Sequence, residues 1–269
     1  MFQTSTVEVL GEGNKPPMQL AVHTCGTGPL ALLIHGFPLD HRMWLDVMNG
    51  PLSKRRTLCA IDLRGHGQSG ACIDEVHTME RFADDIADVI QSISDQAVDV
   101  CGLSMGGYVA LALHARRPHL VRSLVLSNTR AAADTEAQRT SRDTSIETVT
   151  IEGRTVIADA MLPKLLAASA TEEQRARVRK MIEQQSVAAI VADLRGLQQR
   201  PDRQSDLPQF DHPTLVLVGD QDVITPPAEA KQMATAIPGA TLKVITGTAH
   251  MSPLEDAAQW SAAVATLWQ

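Results

Sequence analysis

The sequence predicts an α/β fold, doubly wound around a mostly parallel sheet and interrupted by a helical insertion. Three observations carry this expectation. Short apolar runs recur at residues 30–34, 57–61, 98–102, 123–126, 214–218 and 241–245, the pattern of strands buried on both faces. Amphipathic helical patterns alternate with them, which implies parallel neighbours. Between about residues 131 and 207 the alternation stops, and a long polar, helical stretch carries no strand pattern.

Taken in chain order, residues 7–10 and 19–23, separated by a turn bearing Gly and Pro, predict an antiparallel hairpin at the start. The runs at 30–34 and 57–61 follow as central strands. Met79, Phe82, Ile86, Val89, Ile90 and Ile93 fall on one helical face, with Asp84, Asp85 and Asp88 among the intervening positions. The run at 98–102 then leads into a helical segment over 108–116, and 123–126 is the next strand. The insertion enters after this run and ends at the loop 201–208, beyond which strand and helix alternate again. The expected division is a core of residues 1–130 and 208–269 and a lid of residues 131–207, with no internal repeat or low-complexity tract.

Composition narrows the function. The chain has 269 residues with 44% hydrophobic and 20% charged residues, enough for a large core without disulfide or metal support. No apolar run approaches the ~20 residues that span a bilayer, so a soluble protein without a membrane partner is expected. A net charge of −7 disfavours the basic face that nucleic acid requires. Residues 1–14 show neither a basic nor an apolar leader region, so the expected location is cytoplasmic. Cys25, Cys59, Cys72 and Cys101 lack Cys-x-x-Cys spacing and read as free thiols, and the histidines are scattered, so no metal or cofactor is expected.

The chemistry concentrates at strand ends. Gly102-Leu103-Ser104-Met105-Gly106 has Gly-x-Ser-x-Gly spacing between an apolar strand and a helix. A serine on so tight a turn takes a strained backbone and needs glycine on both sides, and the turn lifts its hydroxyl above the sheet. The Met105 N–H, opening the helix, then points at any oxyanion on the substrate. A serine nucleophile needs a base that a carboxylate orients. The run 214–218 leads into Gly219-Asp220-Gln221-Asp222, and Gly247-Thr248-Ala249-His250 follows the next strand, so acid and base arrive at the sheet edge of Ser104. Asp222 is the expected acid; Asp220, nearer the strand end, reads as a loop brace. His35-Gly36-Phe37 closes an early strand and offers the Phe37 N–H as a second oxyanion donor, with His35 holding the loop. His66 and Ser69, in Asp62-Leu63-Arg64-Gly65-His66-Gly67-Gln68-Ser69, read as loop braces as well.

Together these motifs resemble the α/β-hydrolase superfamily over nearly the whole chain. The resemblance implies an eight-stranded, mostly parallel sheet with helices on both faces, a helical lid, and a triad carried onto Ser104, Asp222 and His250. Cys101-Gly102-Leu103-Ser104-Met105-Gly106-Gly107 and Leu126-Ser127-Asn128-Thr129 are similar to 3-oxoadipate enol-lactonases and small esterases. The His35-Gly36-Phe37 loop and the aromatic-free lid differ from those enol-lactonases, so their substrate does not carry over. A serine in place of an aspartate nucleophile disfavours dehalogenase and epoxide hydrolase chemistry. The expected activity is hydrolysis of a small ester or lactone through an acyl-enzyme on Ser104. The alternatives are a C–C bond hydrolase or lyase, a perhydrolase or haloperoxidase-like activity on the same triad, and a non-catalytic ligand binder. The lid's apolar residues are all aliphatic, so an aliphatic substrate is expected, with Phe37, Trp44, Tyr108, Met161 and Leu165 lining its pocket. Arg139, Arg142 and Arg154 could favour an anionic substrate, but acidic neighbours roughly balance them, so they read as solvated lid surface. The oligomeric state is not legible.

Overall fold

Every apolar run becomes a strand, and the face each residue takes follows from period two. The structure, a computed structural model, describes residues 2–11, 16–71 and 74–269. Its strands are β1 (Gln3–Val9), β2 (Met18–Gly26), β3 (Leu30–Ile34), β4 (Thr57–Ile61), β5 (Val98–Leu103), β6 (Val121–Ser127), β7 (Thr214–Gly219) and β8 (Thr241–Ile245). They form one sheet in the order β1-β2-β4-β3-β5-β6-β7-β8. The β1–β2 and β2–β4 pairs are antiparallel and the rest are parallel. The expected hairpin has Val7 opposite Leu20. Most of its turn, like Cys72 and Met1, lies outside the described residues.

The helices are α1 (Leu45–Met48), α2 (Met79–Ile93), α3 (Met105–Arg116), α4 (Glu136–Glu152), α5 (Thr155–Leu165), α6 (Glu172–Gln184), α7 (Val187–Gln199), α8 (Pro227–Ala236), α9 (Ser252–Glu255) and α10 (Ala257–Val264). Leu32 and Ile34 face a core layer shared with Phe82, Ile86, Val109 and Met233 from α2, α3 and α8. Ala31 and Leu33 face the opposite layer, with Trp44, Val47, Trp260 and Val264. Burial on both faces is what makes these runs continuously apolar.

One expectation is corrected. β8 is the sheet edge, and Thr241, Lys243 and Val244 are exposed, so it is not buried on both faces; a lysine on an edge strand discourages pairing with another chain. Asp85 of α2 is buried, where Arg64 binds it through two nitrogens at 2.7 Å each.

Residues between β6 and β7 form α4 to α7 with no strand. Threonines cap α4 and α6: Thr135 and Thr171 each accept from the third helical residue, whose glutamine reaches back to the cap's own N–H. Val149, Ile157, Leu162, Met181, Ile182 and Leu194 extend the α1/α10 core layer into these helices. No helix among the described residues is long and apolar enough to cross a membrane.

Candidate active site

Ser104 is the single residue between β5 and α3, and its backbone sits at φ 53°, ψ −114°. A non-glycine residue there costs about 1–3 kcal/mol and persists only where its surroundings enforce it. The enforcement is visible. Ser104 N–H donates to Ser127 O at 3.0 Å, and Ser104 O accepts from Gly107 N at 2.9 Å and Thr129 Oγ1 at 2.8 Å. A Cβ on Gly102 would stand 2.1 Å from Gly106 O, and one on Gly106 would stand 2.2 Å from Ile34 O. Only glycine lets the end of β3 press against this turn, which brings the His35–Phe37 loop alongside Ser104 and Met105.

The loop after β7 places Asp222, not Asp220, against the histidine. His250 Nδ1 lies 2.8 Å from Asp222 Oδ2. The same carboxylate accepts from Asn128 Nδ2 at 2.9 Å, Thr225 Oγ1 at 2.7 Å, Ile224 N at 2.8 Å and Thr225 N at 3.0 Å. Burial alone would raise its pKa; the His250 imidazole and these donors outweigh that and hold it down at about 2. Asp220 is exposed and accepts from Gly247 N at 2.9 Å, bracing the loop that carries His250.

Flanking bonds fix the histidine. Ala249 O accepts from Asn128 Nδ2 at 3.0 Å, Ala249 N donates to Glu255 Oε1 at 2.9 Å, and Met251 N donates to Leu165 O of α5 at 3.0 Å. Glu255 also accepts from Ala167 N at 2.7 Å, tying the histidine loop to the helical insertion. No hydrogen bond joins Ser104 Oγ to His250 Nε2 in this structure. Contacts between nucleophile and base are often looser without substrate. Among the described residues, neither Phe37 N–H nor Met105 N–H donates to a protein acceptor.

The other singled-out residues divide clearly. Neutral His35 donates from Nδ1 to Gly36 O at 2.9 Å and accepts Leu63 N–H at Nε2 at 3.0 Å; burial, then its neighbour His66, pushes its pKa down to about 4. His66 pairs with Asp193 of α7 at 2.9 Å, and Ser69 Oγ bridges Asp62 O and Ala21 N. Phe37 and Met161 line a cavity of about 560 Å³, together with Ile157, Leu194, Val223 and Ile224. Trp44, Tyr108 and Leu165, also expected at the substrate, do not line it. Trp44 is fully buried with its ring 5.5 Å from Trp260, Tyr108 lies beneath the Arg200 guanidinium at 3.9 Å, and Leu165 belongs to the core. Arg142 lines the cavity instead of standing in solvent.

Asn128, Thr225 and Glu255 escaped the reading of single motifs. Asn128 sits at φ 47° and is fully buried; an asparagine directly after a strand, able to adopt that conformation, was the available signal. The histidines are also less scattered than their spacing suggests. His23 and His41 stack with centroids 3.5 Å apart and both reach Asp62, at 3.1 and 2.9 Å. Asp62 also accepts from His41 N and Gln68 N at 2.7 and 2.8 Å, so protein donors occupy both carboxylate oxygens. This cluster ties β2, β4 and the loop after β3 together. The buried thiols of Cys59 and Cys101 are pushed upward by burial, Cys59 to about 12, so neither is a nucleophile at neutral pH.

Comparison with known proteins fits this geometry. Residues 29–257 match the model of the alpha/beta hydrolase fold family. The chain is 30% identical, over 85% of its length and 91% of the relative's, to the pimeloyl-[acyl-carrier protein] methyl ester esterase of Nitrosomonas europaea. It is 34% identical to a thermophilic esterase from Thermogutta terrifontis, solved with malate bound, at a TM-score of 0.93 and covering 97% of both chains. The enol-lactonase from Burkholderia xenovorans LB400 is also similar, at 25% identity and a TM-score of 0.87, covering 97% of this chain and 98% of that one. The chain belongs to the alpha/beta hydrolase family.

Proposed function

We propose that this protein hydrolyses a carboxylic ester or lactone through an acyl-enzyme on Ser104. The observation that carries the reading is the strained backbone of Ser104, maintained beside a histidine that a buried carboxylate orients. Ser104 Oγ attacks the carbonyl carbon and passes its proton to His250 Nε2. Asp222 fixes the tautomer with the proton on Nδ1 and stabilises the imidazolium. The free N–H groups of Phe37 and Met105 receive the negative charge that develops on the carbonyl oxygen. His250 then protonates the leaving alcohol and activates the water that releases the acid. Helices α4 to α7 act as the lid over this site and contribute Ile157, Met161 and Leu194 to the substrate cavity. The esterase and enol-lactonase relatives support the reaction class. The test is ester turnover by Ser104→Ala: loss of measurable hydrolysis with an unchanged melting profile supports the assignment, and retained turnover overturns it.

A further inference from the structure

The cavity beside Phe37 and the Asp222 loop has a charge pattern that ester hydrolysis alone does not require. Among the described residues its charged lining residues are Arg130, Arg142 and Lys164, and no carboxylate lines it. This occurs in a chain whose net charge is −7. Helix α4 turns Gln138, Ser141, Arg142 and Ser145 toward the space, one helical stripe, so this wall is polar while α5 and α7 supply aliphatic surface.

The guanidinium groups here outnumber their shared partner. Arg142 Nε, Arg200 Nη2 and Arg130 Nη2 all converge on Asp134, at 2.5, 3.0 and 3.3 Å. The Asp134 side chain is fully buried, so its single charge is spent within this group. The remaining counter-ions lie off the cavity wall: Glu229 meets Arg130 at 3.4 Å, and Asp202 lies near Arg200. The Arg130 side chain is only 10% exposed, and among the described residues its Nε has no acceptor. A buried guanidinium N–H without a partner is costly.

We propose that this wall is a carboxylate subsite, and that the substrate is the half-ester of an aliphatic dicarboxylic acid. The proposal rests on the ester-hydrolase reading and specifies its substrate. The neutral ester end lies at Ser104, the methylene chain lies against Ile157, Met161 and Leu194, and the ionised end meets Arg130 and Arg142, with Lys164 at the rim. Charge-assisted hydrogen bonds of this kind are worth about 10- to 100-fold in binding.

The test compares monomethyl with dimethyl esters of succinate, glutarate and adipate at low salt, reading kcat/KM for wild type, Arg142→Gln and Lys164→Gln. The expected result is a preference for at least one half-ester over its diester of about tenfold or more, falling severalfold in each variant. Calorimetry on Ser104→Ala keeps the two readings separate and does not depend on how the arginine variant folds. Tighter binding of the half-ester than of the diester supports the subsite even if wild type hydrolyses neither, in which case the ester reading alone fails. Equal or weaker binding of the half-esters, or a wild-type preference for the diesters, overturns the subsite while leaving ester hydrolysis intact.

Discussion

Asp222→Asn separates stability from catalysis by amounts that the structure sets. In the wild type five donors converge on the Asp222 carboxylate, from Asn128, Ile224, the backbone and hydroxyl of Thr225, and His250. An amide can accept at one oxygen only. With that oxygen placed to keep Ile224 N and Thr225 N, its NH2 faces Asn128 Nδ2, Thr225 Oγ1 and His250 Nδ1. The imidazole must then carry its proton on Nε2, where the base's lone pair is needed. Neutralising a triad carboxylate in this way lowers kcat by on the order of 10⁴, or ~5.5 kcal/mol of barrier. The cost in stability is smaller. Asp222 is depressed from 3.8 to about 2, so its ionised form contributes ~2 kcal/mol, fully present above pH ~4 and lost as pH falls through about 2. At pH 7 the variant should therefore lose ~2 kcal/mol in urea unfolding, remain folded, and lose about four orders of magnitude in kcat with little change in KM. Asp220→Asn should keep kcat within a few fold. A kcat within tenfold of wild type in Asp222→Asn, or the larger loss in Asp220→Asn, refutes the assignment of the acid.

Two further outcomes follow. His35 stays neutral in the fold down to about 4, whereas unfolded it binds a proton below 6.5, so stability falls as pH drops from 6.5 to 4, by ~3 kcal/mol from this residue; His35→Asn should flatten the pH dependence of the urea midpoint, and an equally steep profile in the variant contradicts the role. Trp44→Phe removes part of a buried ring pair and should lower unfolding free energy by ~1 kcal/mol or more while leaving kcat/KM for a small ester within about twofold; a large rise in KM at unchanged stability would return Trp44 to the substrate pocket.

The legible features were those governed by short-range sterics. Runs such as Leu30–Ile34 are apolar at every position because the two sheet faces pack on different helices, and Gly102 and Gly106 are dictated by atoms 2.1 and 2.2 Å from where a Cβ would stand. What stayed hidden depends on distant partners. Trp44 and Tyr108 lie close in sequence to the catalytic loops, yet their side chains turn inward to Trp260 and beneath Arg200, and no local pattern records that. The three arginines on Asp134 come from three separate segments. Arg142 therefore looked like one more solvated lid residue.

The most direct test of the account is active-site labelling with a fluorophosphonate at neutral pH, followed by intact-mass and peptide mapping. The account predicts one covalent adduct per chain on Ser104, formed rapidly in wild type, slowly in Asp222→Asn, and absent in Ser104→Ala. A label on Ser69 or Ser127, or labelling that persists at the wild-type rate in Ser104→Ala, would contradict it.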